Sequence, residues 1–91
     1  MVELIWDDKF KKIYRKWSLQ HPELKAQFAR KIIQFEEDPF HPSLKTHTLS
    51  GTLKGLWSFR ITYEQRIVFD FIDESRTRVV LINIGPHEEV Y

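Results

Sequence analysis

The stretch from Leu56 to Ile72, LWSFRITYEQRIVFDFI, decides the fold of this chain. In its first half apolar residues recur at every second position, and the apolar set is Trp57, Phe59, Ile61 and Tyr63. The alternation resumes at Arg66, with the apolar set Ile67, Phe69 and Phe71. A period of two is typical of β-strands that bury one face. The stretch therefore predicts two neighbouring strands, each with one apolar and one largely polar face.

Further strands are predicted on both sides of this pair. Asp73, Glu74 and Ser75 form a polar turn, and the apolar run from Arg78 to Ile84 suits a central strand. Near the start of the chain, Val2 to Trp6 reads as a short strand. The segment from Phe40 to Leu49 is predicted to be a loop.

Two helices are predicted between the first strand and this loop. Apolar residues spaced three and four positions apart indicate the first, and they are Phe10, Ile13, Tyr14 and Trp17. Asp7 or Asp8 can cap it, because a carboxylate accepts the free N–H groups of the first turn. The second is expected from Pro22 to Glu37, with Leu24, Phe28, Ile32 and Phe35 on one side.

The predicted order of elements is β-α-α-β-β-β within one domain, residues 1–91. We expect an α+β fold in which two helices pack on one face of a mainly antiparallel four-stranded sheet. The other face would remain partly open.

Composition narrows the classes of function. The hydrophobic fraction of 42% is sufficient for a packed core, and the chain contains no cysteine. We therefore expect no disulfide or thiolate metal site, and a disulfide-free small domain suits the cytoplasm. No apolar run reaches the roughly 18 residues that cross a bilayer, so no membrane partner is expected. A signal peptide is not indicated, because the start lacks a basic region and a long apolar region.

The C-terminal residues His87 to Tyr91 are the most informative for function. A small domain rarely ends on a histidine and an aromatic residue unless that end is tied down. If the tail is held against the sheet, an imidazole, a group that titrates near neutrality, lies beside Arg60 and Arg66. An acid–base group next to cations suits chemistry on a phosphodiester.

Three segments, together with RIVF at residues 66–69, carry a resemblance to a known family. They are KTHTLSG at residues 45–51, LKGLWSFR at residues 53–60 and IGPHEEVY at residues 84–91. In combination they resemble the RelE/ParE superfamily of toxins from type II toxin–antitoxin systems. The resemblance is closest to the YafQ-like branch, whose members are messenger-RNA endonucleases (mRNA interferases). It extends over essentially the whole chain.

The resemblance also assigns candidate site residues. His47 and His87 match the two histidines that the YafQ-like branch uses in catalysis, and Tyr91 stands where that branch has an aromatic residue. Glu64 stands in place of an aspartate, and Arg60 in place of a further histidine. Because of this departure at Arg60, the identity of the general base stays open.

Arg66 resembles an arginine of RelE itself, on the strand after the turn. The chain therefore combines features of the histidine-rich and arginine-rich versions of the site. Metal-free RNA cleavage uses the ribose 2′-hydroxyl as nucleophile, and it needs a base, an acid and cations that hold the developing negative charge. The sequence has no pair of histidines and no cluster of carboxylates at the spacing typical of a metal site, and no cofactor is expected.

We assign the general acid to His87, the base to His47 or Glu64, and phosphate binding to Arg60 and Arg66. Lys45, Lys54 and Tyr91 are candidate substrate-binding residues, with Tyr91 able either to stack on a base or to cover the core. Lys9, Lys11, Lys12, Arg15 and Lys16 form a basic run. This run is either the solvated side of the first helix or a footprint for an RNA backbone.

The resulting hypothesis is a toxin that cleaves mRNA with the help of the ribosome and is restrained by a cognate antitoxin. The antitoxin, implied by the resemblance, would bind DNA, so this chain would contact DNA only indirectly. The runner-up is a ParE-like toxin that poisons gyrase without cutting RNA. A third reading is a non-catalytic module that binds RNA or protein. Fold alone does not separate these readings.

Overall fold

A computed structural model describes the backbone of residues 1–91 and every side chain except that of Glu89. The strands are β1 (Glu3–Ile5), β2 (His47–Thr48), β3 (Trp57–Arg60), β4 (Gln65–Phe71) and β5 (Arg78–Pro86). The helices are α1 (Asp8–Gln20), α2 (Lys25–Glu37) and a short C-terminal α3 (His87–Val90). None of the described helices is both long enough and apolar enough to span a bilayer.

The sheet contains five strands in the order β1-β5-β4-β3-β2. Its pairings are antiparallel except for β1, which runs parallel to β5. The predicted α+β class, the β-α-α-β-β-β order and the mainly antiparallel sheet are confirmed. The additional strand is β2, which the sequence analysis assigned to a loop. Its two residues are too few to show an alternation, so the pattern carries no signal for it.

Both helices cover the apolar face of the sheet as predicted. Asp7 caps α1, where its carboxylate accepts a hydrogen bond of 2.8 Å from the N–H of Phe10. Helix α2 begins at Lys25 instead of the predicted Pro22, and residues Pro22–Leu24 form a separate 3₁₀ turn. Proline suits the first position of this turn because it lacks an N–H. The core joins both helical stripes to the strands, and its fully buried aromatic residues are Phe10, Phe35, Phe59 and Phe69.

The turn between β3 and β4 differs from the prediction. Strand β3 ends at Arg60, whereas the alternation extended the strand to Tyr63. The N–H groups of Ile61 and Thr62 both donate to the carbonyl of Gln65, which closes a tight turn. As a result, Tyr63 is 78% exposed instead of facing the core.

The register of the strands assembles a polar row on the face opposite α1 and α2. Arg60 pairs with Arg66 across β3 and β4, and Arg66 pairs with Gly85 across β4 and β5. One step along, His47 of β2 pairs with Ser58 of β3. Cross-strand partners project from the same side of a sheet. The two arginines, Ser58 and His47 therefore share one face of the sheet. This is the face that α1 and α2 do not cover.

The turn between β4 and β5 is organised by the carboxylate of Asp73. It accepts hydrogen bonds from the hydroxyls of Thr77 and Ser75 and from the N–H groups of Thr77 and Arg78. These bonds favour the ionised form, so they hold the pKa of Asp73 well below its usual range, the Thr77 hydroxyl contributing most.

We expect Asp73→Asn to lower the melting temperature at pH 7. A lowered folded-state pKa stabilises the protein at pH values above the unfolded-state pKa of about 4, and that contribution is lost as pH falls. The difference between the two proteins should therefore shrink below about pH 5. Thermal denaturation followed by circular dichroism would measure it, with Glu74→Gln as the control. A difference that stays constant down to pH 2 would contradict this explanation.

Candidate active site

The C-terminal tail is tied to the sheet. The N–H of His87 donates to the carbonyl of Glu64 at 2.9 Å, which fixes the start of α3 beside the β3–β4 turn. Val90, the residue before the last, is 7% exposed and so is packed against the domain. The hydroxyl of Tyr91 donates to Oγ of Ser58, a completely buried side chain of β3. The predicted attachment of the tail is therefore confirmed.

This attachment creates an open cleft of about 430 Å³, which we call the main cleft. It is lined by Tyr63, Glu64, Arg66, Pro86, His87 and Glu88. Three of the predicted catalytic residues, His87, Glu64 and Arg66, thus meet around one concavity. An imidazole, a carboxylate and a guanidinium together can take a proton, return a proton and hold an anion.

Arg66 is oriented by the protein so that it can bind an anion. Its side chain is largely buried, and its Nη2 donates to the carbonyl of Tyr63 at 2.9 Å. Its Nε is buried without a hydrogen-bond partner among the described residues. That N–H is closed off from solvent, so an anion would be held by the part of the guanidinium that lines the main cleft.

Arg60 lies one strand away from Arg66 and is half-buried. Its guanidinium is 5.5 Å from the ring centroid of Tyr63, and its Nε also has no partner among the described side chains. The ion pair with Asp70 that an ordinary strand arginine would form is not found among the described residues. Arg60 does not line the main cleft, so the imidazole of His87 shares the cleft with one of the two arginines.

His47 lies in a neighbouring cleft of about 260 Å³, together with Tyr91. The ring of Tyr91 connects the two histidines, with centroids 4.2 Å from His87 and 6.3 Å from His47. His47 Nδ1 is 2.8 Å from the carbonyl of Lys45, and a carbonyl only accepts, so Nδ1 carries the hydrogen. In the neutral ring this leaves Nε2 as an acceptor.

The two predicted lysines have weaker connections to the site. Lys45 is exposed in a left-handed conformation, with φ of 52°, and it contributes its carbonyl rather than its ammonium group to His47. Lys54 follows the short 3₁₀ turn Gly51–Leu53 and lines neither cleft. Both are positioned to contact only an extended ligand.

Two residues near the site were not singled out from the sequence. Ser58 holds the hydroxyl of Tyr91 and is fully buried, but nothing in the sequence marked it, because a serine fits the polar face predicted for its strand. Tyr63 forms one wall of the main cleft and faces Arg60. No signal marked Tyr63, because its place in the alternation indicated a core residue. Within the described side chains, no group of three His, Cys, Asp or Glu residues gathers at metal-binding distances.

Two comparisons with known proteins, by family and by individual sequence, point to the same family of bacterial toxins. Residues 5–87 match the family described as YoeB-like toxin of bacterial type II toxin-antitoxin system. The toxin YoeB of Escherichia coli K12 is 30% identical over 74 residues, which cover 81% of this chain and 88% of that protein.

Solved structures show the same fold. YafQ of E. coli BL21(DE3) superposes with a TM-score of 0.77 at 12% identity, covering 100% of this chain and 99% of that one. The toxin–antitoxin complex YoeB-YefM of Staphylococcus aureus gives a TM-score of 0.68 at 15% identity, covering 96% and 98% of the chains. The resemblance to the RelE/ParE superfamily is confirmed; the family-level match is to the YoeB-like toxins, and the likeness to YafQ is one of fold.

Proposed function

This chain belongs to the YoeB-like toxins of bacterial type II toxin–antitoxin systems, and from that premise we propose that it is an mRNA endonuclease that acts on the ribosome. The observation that supports the proposal most directly is the main cleft, where His87, Glu64 and Arg66 come together. A toxin that only binds its target has no need of acid–base groups beside an anion-binding guanidinium. For this reason the ParE-like gyrase poison has less support.

The proposed reaction is an attack of the ribose 2′-oxygen on the adjacent phosphorus, without a metal ion. A base takes the 2′-hydroxyl proton as the oxygen–phosphorus bond forms. The bond from phosphorus to the 5′-oxygen then breaks, and His87 donates a proton to that leaving oxygen. The products are a 2′,3′-cyclic phosphate and a 5′-hydroxyl. Arg66, supported by Arg60 on the next strand, holds the charge on the phosphoryl oxygens.

The position of the residues favours Glu64 over His47 as the base. Glu64 lines the same cleft as His87 and Arg66, whereas His47 lies beyond the ring of Tyr91. A base must lie within hydrogen-bond reach of the proton it removes. In this arrangement His47 orients Tyr91 or a neighbouring phosphate, and the ring face of Tyr91 is the surface on which a base of the substrate stacks. Lys45 and Lys54 contact flanking phosphates.

The partners follow from the same premise. The S. aureus relative forms a complex with an antitoxin, YefM, and we infer that a cognate antitoxin binds this chain. The antitoxin is the component that binds DNA, so contact with DNA is indirect. Because the substrate is mRNA on translating ribosomes, the proposed site of action is the cytoplasm.

The direct test is to map mRNA 5′ ends after brief induction of the protein, with and without its antitoxin. We expect new 5′ ends within translated reading frames, and we expect co-expression of the antitoxin to remove them. Intact mRNA in cells whose growth has stopped, combined with DNA breaks caused by gyrase, would instead support the ParE-like alternative.

We expect Ser58 and Tyr91 to act as one unit in cleavage. Tyr91→Phe removes the hydroxyl and Ser58→Ala removes its acceptor, so each should lower cleavage about tenfold by releasing the ring between the two histidines. If the hydrogen bond carries the effect, the double variant should be no slower than either single variant. The cleavage rates of the wild type, the two single variants and the double variant, measured in a translating extract, complete this double-mutant cycle. Thermal denaturation gives the effect on stability. A large loss of stability with an unchanged rate would show that Tyr91 only covers the core.

A further inference from the structure

We propose that a second cleft, between the end of α1 and the end of β5, binds a phosphate of an RNA strand. This helix cleft has a volume of about 380 Å³, and its polar lining comes from Lys16, Gln20 and His21. The inference rests on the proposed function, which supplies the RNA. It extends that function by assigning a binding site outside the catalytic groups.

The helix cleft adjoins the main cleft. Pro86 lines both, so the last residue of β5 is the wall that separates them. Strand β1 pairs only with Arg78, Val79 and Val80, and therefore does not cover the edge of β5 near Pro86. An RNA strand that leaves the main cleft reaches the helix cleft by passing over this proline.

The lining of the helix cleft suits a nucleotide. Trp17 closes the inner end of the cleft; it is a core residue, 3% exposed, held by a hydrogen bond of 2.9 Å from its Nε1 to the side-chain oxygen of Gln65. The ring of His21 packs against Trp17, with centroids 5.5 Å apart. Lys16 contributes an exposed ammonium group and Gln20 an amide at the rim. A cation beside neutral hydrogen-bonding groups on a rigid wall suits a phosphate of single-stranded RNA, and the partly exposed ring of His21 is the surface available to a base.

The basic run of α1 was interpreted either as the solvated side of the helix or as a footprint for RNA. With this assignment, different residues of the run fit each interpretation. Lys11, Lys12 and Arg15 line a shallow depression that also contains Asp8, so their charge is partly offset. Lys9 lines neither the main cleft nor the helix cleft. Lys16 is the lysine of the run that lines the helix cleft. One carboxylate opposes an anion there, because Glu23 lies 3.5 Å from Nδ1 of His21.

The test uses the complete chain and uncleavable 2′-O-methyl oligoribonucleotides of three and eight nucleotides. In nitrogen-15 NMR titrations, the trimer should shift resonances around the main cleft only. The octamer should also shift those of Lys16, His21 and Gly85. Shifts from the octamer that stay within the main cleft would exclude the substrate strand as the source of the phosphate, and the proposal fails if Lys16→Ala also leaves binding to ribosomes unchanged.

Matched variants make the test quantitative through fluorescence anisotropy with the octamer. Lys16→Ala should weaken binding about three- to tenfold and reduce the salt slope by about 0.7, the value for one lost phosphate contact on single strands. Gln20→Ala should weaken binding without changing the slope, and Glu23→Gln should tighten binding about twofold. Lys9→Ala removes the same charge from the same helix and should have little effect. Equal effects of Lys16→Ala and Lys9→Ala would contradict the proposed site.

A second arm identifies the source of the phosphate, since substrate and ribosomal RNA offer the same chemistry. If Lys16→Ala weakens binding of the octamer, the strand is the substrate; if it weakens only binding to ribosomes without mRNA, the phosphate is ribosomal. If it weakens neither but weakens antitoxin binding, the RNA site is wrong. A wild-type protein that binds RNA through the helix cleft but cuts no mRNA in a translating extract would refute the proposed function and leave this site standing.

Discussion

Replacement of His87 by Gln is expected to slow mRNA cleavage by about 10²- to 10⁴-fold, the usual contribution of a general acid. Glutamine has a similar length and keeps a hydrogen-bonding side chain, but it does not donate a proton to the leaving 5′-oxygen. The fold should remain intact, because the side chain is exposed and the anchor to Glu64 uses the backbone N–H of residue 87. The rate should be measured as single-turnover cleavage on programmed ribosomes.

The matched control for this variant is His41→Gln. His41 is also a histidine of the described surface, but its Nδ1 accepts from the N–H of Ser43 in the loop before β2. It lines neither the main cleft nor the cleft of His47. We expect His41→Gln to cleave at the wild-type rate. Full activity of a folded His87→Gln protein would remove the general-acid assignment. A protein that stays toxic with His87→Gln while neither it nor the wild type cuts mRNA would instead support the non-catalytic module.

The second large effect is expected at the paired arginines. Arg66→Lys keeps the charge but loses the planar fork that binds two phosphate oxygens, and we expect about a 100-fold slower cleavage step. Arg60→Ala removes the second guanidinium and should also reduce cleavage by orders of magnitude. The effect at Arg66 should be at least as large, because Arg66 lines the main cleft.

Arg78→Ala is the control for both arginine variants. Arg78 lies at the start of β5, where its Nε forms an ion pair with Glu3 at 3.2 Å, far along the strand from Pro86. Loss of this exposed pair should affect stability by less than about 1 kcal/mol and leave cleavage unchanged. If Arg66→Lys binds ribosomes normally and cleaves at the wild-type rate, the planar fork of Arg66 does not stabilise the transition state.

The sequence predicted the parts of the fold that have a clear periodicity. The alternation around Phe59 and Phe69 marked the hairpin, and the spacing of Phe10 and Trp17 marked the buried side of α1. These signals are strong because burial requires an apolar residue at every second position in a strand, or at every third or fourth in a helix. The cap at Asp7 followed from the same logic.

The missed features are set by tertiary contacts. Strand β2 exists because His47 and Thr48 pair with β3, and two residues carry no period of their own. Tyr63 continues the alternation in sequence, but the turn closed by Gln65 turns it out to solvent. The bond between Tyr91 and Ser58 joins residues 33 positions apart, so no local pattern encodes it.

Three residues that line the main cleft could be named from the sequence, but their arrangement could be predicted less well. The resemblance brought His87, Glu64 and Arg66 into one proposal, and the structure gathers these three around one cleft. The resemblance did not show that two other predicted residues lie outside this cleft: Arg60 is one strand away, and His47 lies beyond Tyr91. That separation depends on the register of β2, β3 and β4, and register is decided by pairing across the sheet.

The most direct test of the proposed chemistry is the end structure of RNA fragments cut by the purified protein on ribosomes. Attack by the 2′-oxygen predicts a 5′-hydroxyl on one fragment and a 2′,3′-cyclic phosphate, or the 3′-phosphate formed from it, on the other. An mRNA with one 2′-deoxyribose at the cut position should remain whole. Fragments with a 5′-phosphate and a 3′-hydroxyl, or cleavage of the deoxy-substituted mRNA, would contradict the account.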